Sequence, residues 1–491
     1  MKFRLPWYFT LAVAIVCLCC STLVRAQDVK PVKYVFLFIG DGFSIPQRMM
    51  VEEFCKKTGQ PPLYLNSLPN HALTTTSSAN SFITDSAASG TAIACGEKTN
   101  NGQLGVDAAG TGRLTSIAEV ARDAGRKVGI VTSVTLNHAT PAAFYAHNTS
   151  RGAGYEIGLD LLQSNFDYFA GGGLDDQNDA KHPKFEGPLY ELAAQKGYTV
   201  VHNPDDVLAL TPDRGKVIAC LEKGALPYAI DHQGGLTLAD YTRKGIELLD
   251  NPNGFFMMVE GGKIDWMCHA NDAATVLWET IAFDAAIQVA RDFFNDHADE
   301  TLIVVTGDHE TGGLTLGFAG TGYQSFIETL SCQKCSLDSF RSLLDNLSKE
   351  KGDDLTFQDV QPLITENFGL LFPPEDEVDD DADDDADKKD KSEKEDKDDE
   401  DEKEQDRMML NKSELKRITE AYKKSYEGSR SSKALVLAVL NTFNNKASLG
   451  WTSSAHTALP VDTSAVGCEA EHFNGMIDNT DIAKLLKQMV L

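Results

Sequence analysis

The 491-residue chain lacks a basic surplus: 45 Lys and Arg stand against 73 Asp and Glu, a formal charge of −28. Nucleic-acid phosphates would be repelled by that balance, which excludes nucleic acid as a main partner. Beyond its first residues the chain also lacks any apolar run near the ~18 residues that mark a membrane helix, so no transmembrane segment is expected in the mature protein. It has no internal repeat and no Gly-x-Ser-x-Gly elbow, the usual setting of a base-activated serine. Its cysteines do not pair off. Setting aside Cys17, Cys19 and Cys20, seven remain: Cys55, Cys95, Cys220, Cys268, Cys332, Cys335 and Cys468. A hydrophobic content of 42% is enough for a sizeable core, so stability need not rest on disulfides. Cys332 and Cys335 are the pair expected to bridge locally, since no second Cys or His pair stands nearby to complete a zinc site.

At the N-terminus, Lys2 and Arg4 precede an apolar run from Phe9 to Val24, and Val24-Arg25-Ala26 forms a small-x-small pattern. This predicts a secretory signal peptide over residues 1–26 and a periplasmic or extracellular destination. The charge is uneven. Residues 375–406 hold 21 acids and six lysines, a net of −15, which leaves −13 on all the rest. Without an aromatic residue, that run is expected to be disordered and solvated. It has neither the acid spacing nor the central glycine of an EF-hand.

Four apolar runs stop at polar residues. Val35 to Ile39 leads into Gly40-Asp41-Gly42, Val128 to Val131 towards Asn137-His138-Ala139-Thr140, Phe255 to Val259 into Glu260-Gly261-Gly262, and Leu302 to Val305 towards Gly307-Asp308-His309. Continuous runs of this kind suit strands buried on both faces. Helical patterns lie between them, at Leu114 to Ala124 and Ala273 to Phe294, with further ones at Asn411 to Tyr426 and Lys433 to Phe443. The alternation predicts an α/β fold wound around a mostly parallel sheet. Sites in such sheets form at the carboxyl ends of strands, so the four polar endings point to one site on one sheet edge.

The residue types at those endings suit metal chemistry. Asp265 and His269 are spaced i, i+4, which puts carboxylate and imidazole on one side of a helix. Asp308 and His309 can reach one ion only if the backbone turns there, as Gly307, Gly312 and Gly313 would permit. Asp41 lies in a similar glycine turn. Thr84-Asp85-Ser86-Ala87-Ala88-Ser89-Gly90-Thr91-Ala92 reads as the start of a helix of small residues that something approaches closely. Ser86 there would have free N–H groups and the positive helix end beside it, which suits phosphate. A serine needs an activator near pH 7, and without an elbow a metal is the better one.

Taken in order along the chain, Ile39-Gly40-Asp41-Gly42, Thr84-Asp85-Ser86-Ala87-Ala88, His138-Ala139-Thr140-Pro141, Val259 to Asp265, Gly307 to Thr311, His456-Thr457 and Asp478 to Ile482 resemble the motifs of the alkaline phosphatases. The resemblance runs from about Tyr34 to Gly313 and again from about Leu435 to the C-terminus. It implies a three-layer α/β/α sandwich over residues 27–491 and hydrolysis of small-molecule phosphate monoesters. It implies two Zn2+ and one Mg2+, and a homodimer as the common assembly. By the same resemblance Ser86 is the nucleophile that becomes phosphoserine, and Arg151 grips phosphate. Asp41, Asp308 and His309 then hold the activating zinc, and Asp265, His269 and His456 the other. Asp41, Thr140 and Glu260 hold magnesium. His138 stands where some members carry Asp, which admits Zn2+ or Co2+ as the third ion. Trp266 stands where some carry Lys or His, which implies a weaker hold on phosphate. The separation of His309 from His456 is long for the family and implies an insertion of roughly 320–430. Ser86 lacks the Cys/Ser-x-Pro-x-Arg context of a sulfatase, and related diesterases usually use Thr.

Overall fold

The structure, a computed structural model, describes residues 31–231, 234–374, 405–429 and 431–491. The expected signal peptide and nearly all of the acidic run lie outside these residues.

Among the described residues fourteen strands form in chain order: β1 (Tyr34–Gly40), β2 (Asn70–Thr75), β3 (Lys127–Thr132), β4 (Tyr168–Gly171), β5 (Thr199–Val201), β6 (Val217–Cys220), β7 (Phe255–Gly261), β8 (Thr301–Gly307), β9 (Glu310–Thr311), β10 (Leu314–Thr315), β11 (Gly450–Trp451), β12 (His456–Thr457), β13 (Val461–Gly467) and β14 (Gly475–Asp478). Ten of them make one sheet in the order β14-β2-β13-β8-β1-β7-β3-β4-β6-β5. Only β13 runs antiparallel to its neighbours β2 and β8. β9 pairs with β12, and β10 with β11, as short antiparallel ladders.

The continuous apolar runs are buried on both faces, as the sequence predicts. Tyr34, Phe36 and Phe38 of β1 enter one core while Val35, Leu37 and Ile39 enter the other, because successive side chains on a strand point to opposite faces. The first core takes the helices Ile45–Thr58 and Ala273–Asp296; the second takes Ser86–Cys95, Ile117–Asp123 and Asn479–Val490. This is the three-layer α/β/α sandwich expected. Ala273–Asp296 is the one described helix long and apolar enough to cross a membrane, and 72% of its apolar window is buried in the core instead.

Register puts the polar endings level. Gly40 lies beside Gly261 on one side and Gly307 on the other, and Thr132 lies beside Glu260. The residues that follow therefore leave the sheet at one edge. Between β10 and β11 the chain forms the helices Leu337–Lys351, Phe357–Phe368, Lys412–Lys423 and Lys433–Lys446. Phe340, Phe368 and Phe443 stack edge to face among three of these. Buried Asp272 anchors the group: its carboxylate accepts from Gln333 Nε2 and Leu337 N, both at 2.8 Å. Leu371 and Met409 form an isolated parallel bridge, which joins the described chain on the two sides of residues 375–404.

The expected Cys332–Cys335 bridge is not made. No disulfide closes among the described cysteines. The Cys335 thiol turns instead onto Asn367 Oδ1 at 3.2 Å, in the helix Phe357–Phe368, and burial pushes it up to about 12. Four of the seven cysteines, Cys55, Cys95, Cys220 and Cys268, are core residues, where a thiol packs as a small apolar group.

Candidate active site

Asp41 follows β1 in a turn that needs glycine. Gly42 has φ of +69°, and a Cβ there would lie 2.8 Å from the Asp265 Cα. The Gly42 N–H donates to Asp308 Oδ1 at 3.1 Å, which ties the ends of β1 and β8 together. Past Gly307 the backbone does turn, so that Asp308 and His309 are both fully buried and His309 Nε2 stands 3.2 Å from Asp308 Oδ2 and 3.4 Å from Asp41 Oδ1. Ser86 Oγ lies 3.2 Å from the same Nε2.

Ser86 opens the helix Ser86–Cys95. Asp85 caps that helix by accepting from the Ala88 N–H at 3.0 Å, a bond of the kind worth about 1 kcal/mol. Its other oxygen accepts from Gly102 N at 3.0 Å and from Arg151 Nη1 at 3.1 Å. One carboxylate thus sets both the serine helix and the arginine. The small residues of this helix have a reason: a Cβ on Gly90 would meet Ala143 Cβ at 3.1 Å, next to the turn that carries Thr140. Ser89 donates to Asp308 O at 2.6 Å and receives Asn479 Nδ2 at 3.0 Å. The C-terminal motif around Asn479 therefore braces the serine helix from behind.

Asp265 and His269 do share a helix face, with Oδ2 and Nε2 3.3 Å apart. His456, from β12, brings its Nε2 to 3.2 Å from His269 Nε2 and 3.6 Å from Asp265 Oδ1. His269 Nδ1 lies 2.7 Å from Ser454 O, and His456 Nδ1 2.8 Å from Thr84 O. A carbonyl oxygen only accepts, so each Nδ1 carries a proton, and in the neutral ring each Nε2 presents a lone pair. Two lone pairs facing each other beside a carboxylate repel unless a cation joins them, so the donor set fits a metal ion.

The third cluster is Asp41, His138 and Glu260, with Thr140 Oγ1 donating to Asp41 Oδ2 at 3.2 Å. Thr132 Oγ1 donates to Glu260 Oε2. Among the described residues no hydrogen-bond partner reaches Asp41 Oδ1, Asp308 Oδ2, Glu260 Oε1 or His138 Nδ1, all of them buried atoms. Buried polar atoms are normally satisfied, so this convergence also suits bound cations. One ligand atom from each of Asp41, Asp308 and His309 lies within 4.8 Å of the others, and the same holds for Asp265, His309 and His456.

The electrostatics follow. Burial, then Asp308 and Asp265, pushes Asp41 well up; burial and Asp265 do the same to Asp308. Burial lifts Glu260 to about 7. Burial and the Arg151 guanidinium hold His138 down at about 4, keeping it neutral. Asp265 goes the other way. Burial would raise it, but the imidazoles of His269, His309 and His456 outweigh that and hold it below the usual carboxylate range. Arg151 Nη2 reaches to 3.5 Å from His138 Nε2, so all eleven candidate residues meet at one sheet edge. Asp85, Thr311 and Ser89 had been visible only as motif letters. The signal for Asp85 was a capping residue ahead of a run of small helix formers.

Beneath this edge lies Lys263, 2% exposed, its ammonium 3.3 Å from the Tyr228 ring centre and bonded to Leu226 O. Burial, only partly offset by Glu279, Asp231 and Asp338, lowers it from 10.5 to about 8. Between pH 8 and 10.5 the unfolded chain then binds the proton that the fold has released, so stability rises with pH there. At ~1.36 kcal/mol for each pH unit, about 3 kcal/mol is regained across that window. Calorimetric melting is expected to show this rise, and Lys263→Met to abolish it; an equal rise in the variant would refute the assignment.

An α/β/α sandwich that gathers a capped serine, an arginine and clustered carboxylate and imidazole ligands at its strand ends defines a class of metal-dependent phosphohydrolases. The alkaline phosphatase family model matches residues 32–491. The chain belongs to that family, whose members hydrolyse phosphate monoesters. Relatives include alkaline phosphatase 4 of Bacillus subtilis strain 168, 28% identical over 94% of this chain and 89% of that protein. Alkaline phosphatase 3 of the same strain is 29% identical over 92% and 88%. Among solved structures, the cold-active alkaline phosphatase of Shewanella sp. has a TM-score of 0.75 at 28% identity, covering 93% of this chain and 100% of that one. The Thermus thermophilus alkaline phosphatase has a TM-score of 0.75 at 25% identity, covering 99% and 95%. A His-to-Glu variant of the TAB5 alkaline phosphatase, 24% identical with a TM-score of 0.61 over 94% and 99%, was solved with magnesium in its M3 site.

Proposed function

We propose that this protein is an exported phosphomonoesterase working through a phosphoserine at Ser86. The observation that carries the reading is the meeting of the His269 and His456 lone pairs over Asp265, with Ser86 Oγ 3.2 Å from His309 Nε2. Asp41, Asp308 and His309 would hold one zinc ion and Asp265, His269 and His456 the other. Asp41, Thr140, Glu260 and His138 would hold the third ion, where oxygen donors suit magnesium and the imidazole admits zinc or cobalt. When bound, such ions lower the pKa of attacking oxygens and neutralise charge on entering and leaving groups.

The chain's own groups do the rest. Ser86 Oγ bonds to phosphorus as the ester P–O bond breaks, and the leaving alcohol takes up a proton. Water then opens the Ser86–phosphate bond, releasing inorganic phosphate and restoring the hydroxyl. Arg151, held by Asp85, offers a planar pair of donors to two phosphate oxygens, which a Lys could not match. The helix end at Ser86 adds its own positive field. With Trp266 in place of a Lys, no second cationic side chain is added to the phosphate grip. Residues 27–491 would be one catalytic domain, with an insertion of roughly 320–430.

The test uses the exported protein, whose N-terminal sequencing is expected to begin at Gln27. p-Nitrophenyl phosphate turnover at alkaline pH should vanish with chelator and return with zinc and magnesium together. Turnover that ignores chelator, or none with both ions supplied, would reject the reading.

A further inference from the structure

We infer that the Thr311 hydroxyl is a positioning group shared by the two zinc-holding clusters, one hydrogen-bond bridge that sets a ligand in each. The inference rests on the two-ion reading above. Thr311 is fully buried in β9, opposite His456 in register. Its Oγ1 lies 2.6 Å from Asp265 Oδ1 and 3.2 Å from His309 Nδ1. A hydroxyl has one proton to give. An ionised Asp265 can only accept, so the proton goes there. His309 Nδ1 must then be the donor to the Thr311 oxygen. That fixes His309 in the tautomer whose Nε2 carries a lone pair, and Nε2 is the atom that faces Asp41 Oδ1, Asp308 Oδ2 and Ser86 Oγ.

In the two-ion reading Asp265 and His309 belong to different ligand sets, so one side chain orients a ligand of each ion. The backbone holds Thr311 in place for this. Its carbonyl accepts from Gln47 Nε2 at 3.1 Å. The same amide donates to Glu310 Oε1 at 2.9 Å, and Glu310 also accepts from Gly313 N, Leu314 N and Thr457 Oγ1. The clamp joins the Asp308–Leu314 turn to the strand of His456.

A β-branched residue in a buried strand could equally be there for packing. Valine separates the two roles, because it keeps the shape and loses both hydrogen bonds. In Thr311→Val, Asp265 Oδ1 loses its donor. His309 becomes free to put its proton on Nε2, aimed into the cluster. Partners that orient metal ligands are typically worth 10–100-fold in affinity.

The experiment titrates zinc into the metal-free wild type, Thr311→Val and Thr311→Ser against a competing chromophoric chelator, with calorimetric melting of the metal-free forms alongside. Expected are a loss of about 10–100-fold at both zinc sites in the valine variant and wild-type binding in the serine variant. A loss confined to one ion, no loss, or a serine variant as weak as valine would overturn the inference. A wild type that binds fewer than two zinc ions would overturn the two-ion reading itself. Should the valine variant not fold, Thr311→Ala carries the same expectation.

Discussion

Ser86→Ala is expected to lower p-nitrophenyl phosphate turnover by about 10^3-fold or more, roughly 4 kcal/mol of transition-state stabilisation. The loss should be almost purely chemical. Alanine is the best helix former, and the cap of the Ser86–Cys95 helix belongs to Asp85, which is untouched. Melting temperature and metal content should therefore match the wild type. The ligand clusters and Arg151 remain, so a residual rate over uncatalysed hydrolysis is expected. Acid quenching during turnover should trap phosphate on the wild-type chain and none on the variant. Undiminished turnover in Ser86→Ala would remove the serine from the mechanism.

Asp41→Asn should move metal-free and metal-loaded stability in opposite directions. Asp41, Asp308 and Glu260 are three fully buried carboxylates at one strand edge, and Asp41 is pushed up by burial and then by Asp308, Asp265 and Glu260. Removing its charge relieves that repulsion, so the metal-free variant should melt above the metal-free wild type at alkaline pH. Asp41 also belongs to two of the three ligand clusters. Its loss should weaken ions at both and cut turnover at least 10^2-fold, since even the partners of ligands are worth 10–100-fold in affinity. Added zinc and magnesium should raise the melting temperature of the wild type far more than that of the variant, because ligands stabilise only the state they bind. A variant that gains as much from the ions as the wild type would deny Asp41 its shared place.

The acidic segment has a narrower meaning than the total charge suggests. The formal −28 divides into −15 over 375–406 and −13 over everything else, and four of the acids outside the run, Asp41, Glu260, Asp265 and Asp308, converge at the strand edge where cations would neutralise them. The −15 lies between two flanks that Leu371 and Met409 hold together.

Much of the fold was legible because burial on both faces leaves a mark in single strands. Val35 to Ile39, Val128 to Val131, Phe255 to Val259 and Leu302 to Val305 became β1, β3, β7 and β8, adjacent in the sheet. Local spacing also carried the Asp265–His269 face and the glycine turns at Gly42 and Gly312. Where an inference depended on the direction of one side chain, spacing failed. Cys332 and Cys335 have the separation of a bridge, yet Asn367, more than 30 positions on, draws the Cys335 thiol away.

The sequence by itself determined the layer order, the strand ends that carry the polar residues, and the residue types available for phosphate and metal. It could do so because burial and turns act over a few neighbouring positions. Only the tertiary structure decided which nitrogen of each histidine faces inward, which carboxylate oxygens lack a donor, and that Asp85, Thr311 and Asn479 support the site. Those outcomes depend on carbonyls and side chains brought together across 390 positions, as with Asn479 and Ser89, or 372, as with His456 and Thr84. Such contacts are set by packing of the whole sheet and leave no local pattern to read.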